Sequence, residues 1–125
     1  MASPSPIRIL LVEDNDVFRE ALELLLGMRA EVDVVASIGD GAAVVEAVRT
    51  HEPDVVVMDY RLPGLDGIQA TLAVRNEFPT VGVVGLTASA NARETDALYS
   101  AGASSVLTKD RELDEIVDAI KAAAA

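Results

Sequence analysis

The sequence predicts an α/β domain in which a five-stranded parallel sheet carries helices on both faces. Three observations predict it. Short apolar runs rich in β-branched residues recur along the chain, at 7–12, 32–37, 55–58, 81–86 and 105–108. Between them lie segments with apolar residues at helical spacing. The third run, Val55-Val56-Val57-Met58, is apolar at every position, as a strand covered on both faces must be. Regular alternation of strand and helix implies parallel strands joined by right-handed crossovers.

Each element follows from its residues. Residues 1–6, Met1 to Pro6, read as a loose leader rich in Pro and Ser, and residues 7–125 as the domain. Ile7 to Val12 is the first strand, and Glu13-Asp14-Asn15-Asp16 is a polar turn with capping residues. Phe18, Ala21, Leu22 and Leu25 mark the inner stripe of a helix reaching Gly27. Val32 to Ser37 is the second strand. Asp40 is placed to cap a helix carrying Val44, Val45, Ala47 and Val48, and His51-Glu52-Pro53-Asp54 stops that helix. Asp59 closes the third strand. Leu62-Pro63-Gly64-Leu65-Asp66-Gly67 is a loop, followed by a helix from Ile68 to Phe78 with Ile68 and Leu72 on its inner side. The fourth strand ends at Thr87, a more polar helix runs from Asn91 to Ala101, and Gly102 stops it. The short fifth strand ends at Lys109, and Leu113, Ile116, Val117 and Ile120 line the last helix.

Composition removes several function classes. Ten basic and twenty-one acidic residues give a net charge of -11, which repels a nucleic-acid backbone, so direct DNA binding by this segment is not expected. With no cysteine, thiolate chemistry is impossible. No apolar run approaches the ~20 residues of a membrane-crossing helix, and the first residues lack the pattern of a signal peptide. A cytoplasmic setting is the expectation.

In sheets of this kind ligands bind beyond the carboxyl ends of the strands. The polar residues that close the runs are Glu13 and Asp14, Asp59, Thr87 and Lys109. Clustered carboxylates repel one another and favour a cation. An all-oxygen set without His or Cys suits magnesium rather than zinc. Three carboxylates, one magnesium and one lysine sum to zero charge. Lys109 and Thr87 could then balance and hydrogen-bond a phosphoryl group placed on Asp59 by carboxylate attack.

These residues carry a resemblance. Glu13-Asp14, Asp59, Pro63-Gly64, Asp66-Gly67, Thr87-Ala88 and Lys109 stand in the order and spacing of the receiver domains of bacterial two-component response regulators, over residues 7–121. Among subfamilies, the 62–67 loop and Thr108-Lys109-Asp110 look most like the NarL/FixJ group, which carries a C-terminal helix-turn-helix. The resemblance implies the flavodoxin-like strand order 2-1-3-4-5. It implies that Asp59 accepts a phosphoryl group from a sensor histidine kinase. Mg²⁺ would be held by Glu13, Asp14, Asp59 and the backbone carbonyl of Arg61. Thr87 would turn toward the phosphoryl group and Lys109 would pair with it. It further implies self-dephosphorylation, homodimerisation on phosphorylation, and contact with DNA only through an output domain absent from these residues. This chain would then be either a stand-alone regulator or a piece of a longer one. Arg61 and Ser89 flank the acceptor and could tune water access.

The chain departs from the family at two positions. The place three before the lysine, commonly aromatic, is Val106, and Asp110 rather than Pro follows Lys109, so a trans bond is expected there. Val106 motivates an alternative, a degenerate receiver acting as a phosphorylation-independent interaction module. A metal-dependent phosphatase would want an acid two residues after the nucleophile, where Arg61 stands; a flavin binder would want aromatic flanks and a phosphate loop. His51 reads as a helix-end residue and Tyr60 as packing or loop support. Leu98 and Tyr99, with the fifth strand and the last helix, read as an interaction face.

Overall fold

The computed structural model describes residues 5–89 and 91–125, so most of the expected leader, residues 1–4, lies outside the described residues. Strands β1 (Ile7–Val12), β2 (Val32–Ile38), β3 (Val55–Asp59), β4 (Gly82–Thr87) and β5 (Ser105–Thr108) alternate with helices α1 (Asp16–Gly27), α2 (Val44–His51), α3 (Gly67–Glu77), α4 (Ala92–Ala101) and α5 (Leu113–Ala124). The strands form one parallel sheet in the order β2-β1-β3-β4-β5. This is the doubly wound flavodoxin-like architecture expected from the alternating pattern and the resemblance.

Side-chain alternation along each strand divides the core in two. Ile9 and Leu11 of β1, Val55 and Val57 of β3, and Val84 and Leu86 of β4 pack under Leu22 and Leu26 of α1 and Ile116, Val117 and Ile120 of α5. Leu10 and Val12, Val56 and Met58, and Val83 face the other way, onto Val44 and Val48 of α2, Ala70 and Val74 of α3, and Leu98 of α4. β3 is buried along its whole length, because it lies mid-sheet with helices above and below.

The helix stripes differ in detail from the sequence reading. In α1 the buried residues are Leu22 and Leu26, with Phe18 partly covered, while Ala21 and Leu25 are exposed. In α3 Leu72 is exposed, and the inner side is Gly67, Ala70, Thr71 and Val74. Both errors have one cause. Apolar periodicity reports a helix but leaves its rotation open by one position when an apolar residue lies on each side of the stripe. Leu98 is likewise fully buried, with its side chain against Gly85, so it belongs to the core and not to a surface face; of the two, Tyr99 alone is exposed.

Caps anchor the helix starts. Within the polar turn that follows β1, Asn15 caps α1 by accepting the Phe18 N–H at 2.9 Å. Asp40 caps a single 3-10 turn, Gly41–Ala43, that leads into α2. Asp66 caps α3 through the Gln69 N–H at 2.8 Å. His51 ends α2, and its carbonyl accepts a hydrogen bond from Arg8 near the start of β1, at the opposite end of the sheet from Asp59. No helix of the described residues is long and apolar enough to cross a membrane.

Candidate phosphoryl-acceptor site

Strand register brings the polar residues to one edge. Val12 pairs with Met58, so Glu13 and Asp59 come level one residue further on. Asp59 pairs with Leu86, which puts Thr87 one step beyond, and Thr87 pairs with Thr108, which puts Lys109 one step beyond that. Backbone hydrogen bonds hold this edge: Glu13 N–H donates to Ile38, Tyr60 N–H to Leu86 and Lys109 N–H to Thr87, at 2.8–3.0 Å. α3 begins so close to β3 that a Cβ on Gly67 would lie 2.3 Å from the Asp59 carbonyl oxygen, so only glycine fits there.

Glu13, Asp14 and Asp59 place carboxylate oxygens within 4.8 Å of one another. Glu13 is fully buried and Asp59 is 3% exposed, whereas Asp14 lies open to solvent. Lys109 reaches between the buried pair, its Nζ 2.7 Å from Glu13 Oε1 and 3.3 Å from Asp59 Oδ1. The ammonium also sits 5.0 Å from the centre of the Phe18 ring. One cation does not answer three carboxylates. Burial first, and then the Glu13 charge, push the Asp59 carboxyl up to about 7, although Lys109 pulls the other way. Glu13 Oε2 is buried with no hydrogen-bond partner. An unsatisfied buried carboxylate oxygen in a cluster of three carboxylates, an all-oxygen set, fits a hard divalent cation.

Asp59 opens onto a cleft of about 380 Å³ lined by Asp14, Tyr60, Arg61, Thr87, Ser89 and Lys109, among others. The Arg61 N–H donates to Asp59 Oδ1 at 3.4 Å. Tyr60 is half-buried against the α2–α3–α4 side, which agrees with a packing role. Thr87 is 2% exposed and lies across the cleft on the α4 side of the sheet, where its hydroxyl is within 3.0 Å of Glu94 Oε2. Glu94 was not among the residues picked out from the sequence. It is the third residue of a polar helix and belongs to no strand end, so only the packing of α4 over β4 exposes its part in the site. The Lys109–Asp110 bond is trans, since the described residues contain no cis peptide.

Comparison with known proteins shows the family. Residues 9–121 match the response regulator receiver domain family. The chain belongs to the response regulator receiver domain family. Accepting a phosphoryl group is the general function of such receiver domains. NarL of Mycobacterium tuberculosis is 37% identical over 123 residues, covering 96% of this chain and 56% of that protein. The transcriptional regulatory protein LnrK of Bacillus subtilis is 36% identical, covering 91% and 52%. The receiver domain therefore spans about half the length of these curated relatives. The solved structure of the signal receiver domain of Mycobacterium tuberculosis NarL superimposes with a TM-score of 0.87 at 32% identity, over 94% of this chain and 98% of that one. These relatives place the receiver domain among the NarL type and agree with a role in two-component signalling.

Proposed function

We propose that this domain takes a phosphoryl group onto Asp59 from a phosphohistidine of a sensor kinase and thereby controls an output, transcription through a DNA-binding domain outside this chain. The observation that carries the proposal is the buried Asp59 carboxylate sharing one edge with Glu13, Asp14 and Lys109. An Asp59 oxygen attacks phosphorus, a P–O bond forms as the P–N bond breaks, and the neutral histidine leaves after taking a proton. Glu13, Asp14, Asp59 and the Arg61 carbonyl would hold Mg²⁺. When bound, the ion supplies positive charge against the transferring oxygens.

The chain's own groups do the rest. Lys109 already touches Asp59, so its ammonium balances the charge added there. Thr87 offers one hydroxyl proton to a phosphoryl oxygen. Arg61 and Ser89 border the cleft and control water access to the acyl phosphate, whose hydrolysis resets the switch. Modification is confined to the domain's own Asp59, so the domain acts as a signalling element rather than an enzyme with a separate substrate. In this reading the regulator is cytoplasmic and pairs with a second copy when phosphorylated.

Incubation with Mg²⁺ and acetyl phosphate tests the reading. Intact-mass analysis is expected to show one base-labile phosphoryl adduct in the native chain and none in Asp59→Asn. A folded native chain that stays unmodified would sink it.

A further inference from the structure

Thr87 Oγ1 carries a single proton, and two acceptors already compete for it. Glu94 Oε2 lies at 3.0 Å and the Ser89 carbonyl at 3.1 Å. The Ser89 N–H approaches the same hydroxyl at 3.3 Å. Glu94 is only 8% exposed, and its other oxygen receives Arg61 Nη2 at 3.3 Å. Thr87, Arg61 and Glu94 all line the cleft that Asp59 opens into. Glu94 thus occupies, from α4, two hydrogen-bond donors that line the cleft beside Asp59, the Thr87 hydroxyl and the Arg61 guanidinium.

We propose that Glu94 is a positioning residue for the switch: it holds the Thr87 hydroxyl while Asp59 is unmodified and surrenders it to the phosphoryl group. The inference rests on Asp59 being the phosphoryl acceptor. A hydroxyl has one proton, so a phosphoryl oxygen gains it only as Glu94 loses it. Glu94 is then a buried carboxylate missing a donor and facing a new negative charge, and both effects drive it toward water. It sits in the first turn of α4, so its departure displaces that turn. Further along α4, the Tyr99 hydroxyl accepts the Val106 N–H at 3.2 Å, which ties the same helix to the edge strand β5. With valine at 106 and no aromatic ring to swing, α4 itself carries the state of Thr87 to that edge.

Beryllofluoride affinity at saturating Mg²⁺, followed by tyrosine fluorescence, tests this on four proteins: the native chain, Glu94→Ala, Thr87→Val and the double variant. Glu94→Ala is expected to tighten binding about threefold to tenfold, the net worth of one typical hydrogen bond. In the Thr87→Val background the same change is expected to have less than about twofold effect, because no hydroxyl remains to be released. An equal gain with and without the hydroxyl would mean simple charge removal and would overturn the proposal, as would no gain at all. If Glu94→Ala does not fold, hydrogen exchange in the native chain decides. Beryllofluoride must speed exchange in the first turns of α4, and unchanged or slower exchange there overturns the latch. Binding by the native chain with no Glu94 effect defeats the latch alone, while no binding by the folded native chain defeats the acceptor reading as well.

Discussion

Lys109 Nζ donates to Glu13 Oε1 at 2.7 Å, across 96 residues of sequence, and leaves the other Glu13 oxygen buried and unpaired. This contact joins the end of β1 to the end of β5 beside Asp59. It makes Lys109 a structural cation as well as a candidate partner for the phosphoryl group.

Replacing that lysine is therefore expected to cost stability. Lys109→Met removes the only side-chain cation within 4 Å of the buried Glu13 and Asp59 carboxylates among the described residues. A loss of about 3 kcal/mol is expected in metal-free urea unfolding, the usual consequence of stranding a buried charge. Added Mg²⁺ is expected to restore part of it. A variant as stable as the native chain without metal would show that the carboxylates already share a proton.

Metal should stabilise the native fold in proportion to its occupancy. At Mg²⁺ ten times its dissociation constant, unfolding is expected to cost about 1.4 kcal/mol more, by mass action. Glu13→Gln should weaken the effect, because it converts a buried carboxylate of the candidate metal cluster into an amide. Thermal melts across a Mg²⁺ series measure both, and an identical Mg²⁺ response in the variant would remove Glu13 from the metal site.

The Asp59 carboxyl fixes a pH dependence. Its folded value of about 7 lies well above the ~3.9 of an unfolded chain. Between those values the folded protein holds a proton that the unfolded chain has lost. Without metal, the stability contributed by this group is therefore complete below about pH 4 and is lost as pH rises to about 7. Asp59→Asn lacks that loss and is expected to exceed the native chain at pH 8 by on the order of 3 kcal/mol. Mg²⁺ affinity of the native chain should fall as pH drops through 7, because the proton and the ion compete for one carboxylate. Urea unfolding at several pH values, paired with Mg²⁺ titration, reads both.

Gly67→Ala should damage the site more than the fold. Its Cβ would meet the Asp59 carbonyl at 2.3 Å and Tyr60 at 2.8 Å, both backbone contacts that cannot swing aside. A destabilisation of about 2 kcal/mol is expected from overpacking. Beryllofluoride binding should weaken at least about tenfold in protein that is still folded, since a shift of Asp59 by a fraction of an ångström spoils its alignment. Unweakened binding would show that α3 can recede without moving Asp59.

Most of the frame could be read from pattern alone. Strand ends were legible because apolar runs stop abruptly at Glu13, Asp59 and Lys109, and a parallel sheet must gather its carboxyl ends along one edge. Helix rotation was not, as Leu25, Leu72 and Leu98 show. Leu25 and Leu72 are apolar but lie just outside the buried stripe, while Leu98 sits on a polar helix yet fills the space over Gly85. A hydrophobic period states that one side is inward; the neighbouring elements decide which residues complete it.

By itself the sequence determined the sheet, its helices and the family to which the chain belongs, because each depends on residue type and short spacing. Only the tertiary structure decided how the site is wired. Glu13, Asp59 and Lys109 share the α1–α5 side of their strand ends, whereas Thr87 falls on the α4 side and meets Glu94. That division depends on strand order, register and the seating of α4, relationships among residues far apart in the chain that no local pattern encodes.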